Sequence, residues 1–446
     1  MIASRSLLAG TILFSLALPL PHAQSPAPLQ DVIIPPGASV YLNTNDTRFV
    51  GSAGELVFVV DGHLLVNDFI VGDGAHIRVV GTHPLRVEAL GKVIISGDIE
   101  LPGFDAKNVS GIATAAFPEP GAPGGPGGGS GGDASALIDG STPKGDRGVP
   151  GLGQRGGGGR GGETGYGGRG SRFQTQLADP MVRRGAGGAG GRFGPNAAAT
   201  TPSSLSLTGL SAQDGGEGSS LATGAIFGLV PRGGRVGLSA FRDEDPDNDF
   251  WGVGLHPVTG ELVVGELSGM GAGAGGGGGG DSVRSTVFPH PNFQNKTDDK
   301  GGAGGGGAGA IYISARGRIQ LFNDATGVQG TITANGGKGA NGQLVVFGAQ
   351  FFVKSGGGGG GGSGGHIVLE SGTEIDLGSG GEVLQARGGL GGVATQAGGV
   401  GRGGEGGPGV IQLHAPGGLQ NIRSVLPLNE ASVPAPATLL SRPGLR

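Results

Sequence analysis

Residues 356–377 read GGGGGGGSGGHIVLESGTEIDL, so a stretch almost without side chains becomes an alternating aliphatic pattern within two residues. This junction recurs along the chain, and it constrains the fold more than any other feature. Glycine supplies no apolar surface and costs up to ~1 kcal/mol more than alanine to order at each position. Over tracts of this length the cost reaches tens of kcal/mol, on the order of 1 kcal/mol per residue, which leaves two outcomes. The tracts are flexible, as Gly/Ser linkers are. Otherwise they are extended helices of three residues per turn whose outward N–H and C=O groups bond neighbouring helices. That packing needs glycine because side chains would hold the backbones apart, as at the crowded collagen axis. The runs 275–280, 304–307 and 356–362 are nearly pure and are broken only by Ala or Ser, which favours the ordered bundle.

The aliphatic segments are copies of one another. AIYISARGRIQL (310–321) aligns without gaps on HIVLESGTEIDL (366–377), placing Ile311, Ile313, Ile319 and Leu321 on Ile367, Leu369, Ile375 and Leu377. VIQLHAPGG (410–418) repeats the leading positions with Ile411 and Leu413, and residues 84–103 supply Leu85, Val87, Val93 and Ile95 in the same register. A further short strand ending in glycine follows in GDIELPG, GTITANGG and GEVLQARGG. Period-2 alternation turns one side of each strand inward, and strands this short are unstable alone. Stacking them pairs every backbone with the copies above and below and merges the aliphatic residues into one core, the logic of a β-solenoid. A β-sandwich is the competing arrangement, but the gap-free sequential repeat favours the solenoid. The expected fold is therefore all-β, a solenoid or β-helix-like scaffold of short stacked strands carrying polyglycine-rich insertions, of polyglycine II type, and a small β-hairpin insert. Residues 54–81 continue the strand pattern upstream with tight turns at Asp61-Gly62 and Asp73-Gly74, and residues 31–42 form a leading strand or cap.

The N-terminus has a positive start at Arg5, an apolar run from Leu7 to Leu20 and a small-residue exit at Ala23. These are the regions of a secretory signal peptide, and the apolar run is shorter than the ~20 residues of a membrane span. The expected organisation is a signal peptide over 1–23, N-terminal solenoid rungs over 31–104, and a Gly-rich tract and loop over 105–223. A β-hairpin insert over 224–269, a Gly-rich tract over 270–309, C-terminal rungs with Gly-rich excursions over 310–416, and a polar tail over 417–446 complete it. The product is exported, extracellular or at the cell surface, with no transmembrane segment after signal cleavage. Cysteine is absent, so a secreted chain of this length must draw stability from stacking and not from disulfides.

Glycine makes up 106 of 446 residues without a sustained Gly-X-Y period, which excludes collagen. A net charge of −5 gives no basic surface for nucleic acid, although the arginines of residues 153–172 have an RGG-like pattern. No nucleophile elbow or phosphate loop is present, and the outward solenoid positions carry only scattered groups, Glu88, Lys92, Asp98, Arg318, Glu370, Glu374 and Asp376. A catalytic or cofactor site is therefore not expected. The one metal candidate is RDEDPDNDF, where Asp243, Asp245, Asp247 and Asp249 alternate as oxygen ligands for Ca²⁺ would. It lacks the glycine and glutamate of an EF-hand loop, and a solvated acidic turn is the plainer reading.

The pattern GGGSGG-x-I-x-L-x-A/S-x-G-x-I-x-L, carried by residues 85–103 and 311–415, resembles the glycine-rich, signal-bearing β-helical surface proteins of environmental Gram-negative bacteria. The glycine tracts are similar to the glycine sandwiches of certain phage tail-tip adhesins. Both resemblances imply a contact-making extracellular protein and not an enzyme. The expectation is a structural or adhesive protein whose partner is an extracellular surface, glycan or matrix ligand. A carbohydrate-active β-helix, lyase, hydrolase or glycan binder, is the alternative.

Overall fold

The computed structural model describes residues 29–50, 54, 56–108, 119–134, 165–166, 183–184, 188–191, 219–220, 253–255, 262–264, 270–280, 282–283, 301–347, 352–379, 382–393, 401–415 and 419–420. Their regular structure is all β. Among the described residues no helix is long and apolar enough to cross a membrane.

Three large sheets are built from strands of two to six residues, and the chain visits them in cyclic order. Phe69–Val71 enters the first sheet, His76–Val80 the second and Leu85–Ala89 the third; Val93–Ile95 then returns to the first beside Phe69–Val71. Consecutive circuits pair in parallel. In the third sheet Leu64, Val87, Ile313, Leu369 and Leu413 are successive partners. In the second the inward column is Val40, Ile77, Ile99, Ile332 and Leu384, and in the first it includes Phe69, Val93, Ile319 and Ile375. The inward residues of all three sheets form one contiguous core that includes Ile313, Leu369 and Leu413. Each such side chain, when fully buried, contributes roughly 1.5–3 kcal/mol, and the column is the physical reason for the repeat.

Residues 31–42 form two strands of the first circuit: Val32–Ile34 pairs with Phe69–Val71, and Ser39–Asn43 pairs with His76–Val80. Residues 46–60 depart from the stacked pattern. Asp46–Val50 and Leu56–Val60 form an antiparallel hairpin at the edge of the third sheet. Alternation is the same in parallel and antiparallel strands, so only the turns could reveal this. At the exit from the hairpin Asp61 and Gly62 both have positive φ, 49° and 80°, and a Cβ on Gly62 would lie 2.0 Å from the Pro84 carbonyl oxygen. Within the span of the expected insert, Val253–Leu255 and Leu262–Val264 pair antiparallel.

The glycine tracts share a point of departure. The chain leaves the second sheet after Glu100, Thr333 and Gln385 and re-enters the third sheet at Ala310, His366 and Val410. Three excursions therefore emerge from one corner on successive circuits. Their outgoing arms run parallel, with Gly103 and Ala106 donating to Asn335 and Lys338, and Gly336 and Gly339 donating to Arg387 and Leu390. The returning arms are parallel to one another and antiparallel to the outgoing ones.

Residues 356–365 lie at the centre of this packing and are buried throughout. The N–H groups of Gly357, Gly360 and Ser363 donate to Gly280, Gly277 and Ala274. Those of Gly358, Gly361 and Gly364 donate to Gly401, Gly404 and Gly407, and those of Gly359, Gly362 and Gly365 to Ala340, Gly337 and Ala334. The carbonyls accept with the same spacing: Gly357, Gly360 and Ser363 from Gly302, Gly305 and Ala308, Gly358 and Gly361 from Gly188 and Gly191, Gly359 and Gly362 from Gly392 and Gly389. Bond directions thus recur every third residue, and neighbours on all sides satisfy a backbone that has no water to turn to. Positive φ is not what demands glycine here. A Cβ on Gly359, Gly360, Gly361 or Gly362 would stand 1.9–2.0 Å from a neighbouring carbonyl oxygen.

Candidate functional site

Among the described residues, the surfaces available for function are the outer faces of the sheets and of the glycine layers. On the outgoing arms side chains recur at every third position, Asp105 and Asn108, then Asn335, Lys338 and Asn341, then Arg387, Leu390 and Val393. The oxygens of Asp105, Asn108, Asn335 and Asn341 accept from backbone N–H groups of the neighbouring arm. Asp105 accepts from the Lys338 N–H at 2.7 Å, Asn108 from Asn341 at 2.8 Å, Asn335 from Arg387 at 2.8 Å and Asn341 from Val393 at 2.9 Å.

The outer face of the second sheet is polar. Asp98 accepts from Thr331 Oγ1 at 2.6 Å and lies 3.1 Å from His76 Nδ1. Arg78 covers the Phe104 ring at 5.1 Å, and Tyr41 is exposed. On the outer face of the first sheet Ile33, Ile70 and Ile94 are partners in adjacent strands. The loop 322–329 is tied to the preceding circuits by Asn323, which donates to Asp73 at 2.9 Å. That bond is the chief cause holding the Asp73 carboxyl below its ordinary range.

The third sheet differs because much of its outer face is buried. Tyr312 Oη donates to Glu370 Oε2 at 2.8 Å, and the Arg86 guanidinium stands 5.2 Å from the Tyr312 ring centre. Burial, reinforced by the Glu370 charge, pushes the Tyr312 phenol up to about 12. Arg86 also pairs with Glu88 at 2.6 Å, and His63 Nε2 lies 3.5 Å from the same carboxylate oxygen. His366 is fully buried; its Nδ1 accepts from the Gly271 N–H at 3.3 Å and its Nε2 lies 2.8 Å from Gln412 Oε1. An Nδ1 that accepts leaves the proton on Nε2, so this neutral imidazole joins residues 270–280 to the sheet.

Glu88 and Glu370 lie on one face, each in register with Ser314, so their backbones are two strand spacings, about 9–10 Å, apart. Each has a partner, Arg86 for Glu88 and Tyr312 for Glu370, and Glu370 is buried where the alternation alone predicts a solvated position. The other outward groups are scattered: Arg318 pairs with Asp324 at 3.1 Å, and Asp376 accepts from the Gly378 N–H at 3.0 Å. Tyr312, Arg86 and His366 are polar residues that the sequence reading did not single out. Their position in the alternation marks them as outward, but nothing local signals that the face is covered. Asp243, Asp245, Asp247 and Asp249 lie outside the described residues, and among the described residues no group of three or more His, Cys, Asp or Glu is arranged to hold a metal. Comparison of the chain with known protein families, with characterised proteins and with solved structures finds no match.

Proposed function

We propose that this chain is an exported, non-enzymatic structural and adhesive protein of the cell surface. In this reading the three stacked sheets are a three-sided β-solenoid, and the arms that leave it are a polyglycine II-type bundle. The observation that carries the proposal is the common corner from which residues 101–309, 334–365 and 386–409 depart. Excursions on one side of a shaft produce a broad, rigid platform, and a rigid scaffold presenting variable segments is a usual design for contact. The long first excursion contains the 224–269 insert and is the natural contact element, with an extracellular glycan or matrix component as its partner. The engagement of Glu88 and Glu370 by Arg86 and Tyr312 supports a structural role for both carboxylates.

The test is binding of the purified chain to cells, matrix proteins and a polysaccharide panel, with turnover monitored in the same samples. Saturable binding without turnover, lost on deletion of residues 224–269, is expected. Turnover that disappears in Glu88→Gln or Glu370→Gln would replace this reading with the carbohydrate-active one. Binding that survives the deletion would move the contact site away from the insert.

A further inference from the structure

The hairpin of Asp46–Val50 and Leu56–Val60 turns apolar side chains in both directions. Phe49 and Val59 are buried in the core. On the opposite face Val50, Leu56, Phe58 and Val60, with Leu65 of the next strand, are 40–69% exposed. A sheet with one solvated face normally alternates apolar inside with polar outside, and a contiguous apolar patch at a sheet edge marks a contact surface. The patch carries one acid and one base on the edge strand, Asp46 and Arg48, whose charged groups are 3.8 Å apart. Arg48 also lies over the Phe58 ring at 5.7 Å.

The register arranges these side chains in rows. Asp46 is opposite Val60, Arg48 opposite Phe58 and Val50 opposite Leu56. A two-fold axis lying in the plane of contact, perpendicular to the strands and between the first two rows, makes the pattern complementary to itself. Asp46 then meets Arg48 of the partner subunit and Val60 meets Phe58 of the partner subunit, and the symmetry repeats both contacts. An axis through the Arg48 row would oppose like charges. We infer that this outer hairpin face is an isologous dimer interface for a second copy of the chain, in which two reciprocal Asp46–Arg48 pairs on the edge strands lie beside the apolar Val60–Phe58 contacts. Such an interface uses one patch on both subunits and closes on itself, and its charges select the register. The inference goes beyond the surface role proposed above and stands independently of it.

Sedimentation velocity of the full chain across the micromolar range tests it. A concentration-dependent monomer–dimer equilibrium is expected, with Val60→Glu giving monomer. Asp46→Arg and Arg48→Asp each raise the dissociation constant by about tenfold or more, equivalent to at least ~1.4 kcal/mol, whereas the double swap D46R/R48D returns it toward the starting value. Because Asp46 and Arg48 also face each other within one chain, matched circular dichroism melts check that the single swaps and Val60→Glu are folded. A wild-type chain that stays monomeric throughout, a dimer indifferent to a folded Val60→Glu, or a double swap as weak as the singles would each overturn the inference.

Discussion

Ser363 and Ala274 are joined twice: the Ser363 N–H donates to the Ala274 carbonyl at 2.8 Å, and the Ala274 N–H donates to Ser363 Oγ at 2.8 Å. The same hydroxyl donates to the Gly364 carbonyl at 3.1 Å. Within a stretch otherwise glycine from 356 to 365, this serine supplies an acceptor that a glycine could not. Ser363→Ala leaves the buried Ala274 amide without it, and should lower stability by about 1–3 kcal/mol. Denaturant unfolding followed by circular dichroism measures the change, and an unshifted midpoint would show that the hydroxyl is dispensable.

Gly360→Ala tests the close approach of the arms. The added Cβ falls 1.9 Å from the Ala189 carbonyl oxygen, a backbone atom that cannot swing aside. Overpacking of this kind costs about 1–3 kcal/mol, opposite in sign to the gain that alanine gives in an unstrained flexible segment. A stabilised or unchanged melting midpoint for Gly360→Ala would contradict the packed arrangement.

Asn341→Ala removes the acceptor of the Val393 N–H. Because this edge of the outgoing layer is partly solvated, the expected loss is small, about 0.5–1.5 kcal/mol. Asn341→Asp retains an oxygen in that position and should recover most of the loss in the same unfolding assay. Equal losses in both variants would argue against an acceptor role.

The aliphatic columns were readable because each copy is gap-free: aligning residues 310–321 on 366–377 gives the observed partners Ile311 with Ile367 and Ile313 with Leu369. Residues 85–95 likewise place Leu85 and Val87 beside Ile311 and Ile313, and Val93 beside Ile319. Less readable was what covers each face. Alternation assigns Tyr312 and Glu370 to the outside of a strand, but their burial depends on segments distant in sequence. Arm direction was also hidden. Side-by-side antiparallel runs satisfy glycine backbones in principle, yet residues 356–365 bond parallel to 401–407 and antiparallel to 274–280. Composition cannot distinguish these arrangements, since glycine has no side chain to encode a register. The outer arms are an exception, where Asn335, Lys338 and Asn341 at intervals of three mark the exposed edge.

Alkaline pH should weaken the fold through Tyr312. Its folded-state phenol is raised from 10.0 to about 12, so below pH ~10 it is neutral in both folded and unfolded chains. Between about pH 10 and 12 the unfolded chain loses this proton first, and stability falls by roughly 2–3 kcal/mol across that window. Tyr312→Phe should flatten this component while sacrificing the bond to Glu370. Absorbance titration should show a tyrosine ionisation near pH 12 that is missing in Tyr312→Phe, and identical titrations of the two proteins above about pH 11 would rule out the buried phenol.

Amide hydrogen exchange over residues 356–365 tests most directly whether the glycine arms leaving one corner form an ordered, hydrogen-bonded bundle. Protection comparable to that of Ala310–Ala315 and His366–Ser371 is expected, because every N–H from Gly357 to Gly365 has a backbone acceptor. Exchange at unstructured-chain rates there, beside protected strands, would contradict the bundle.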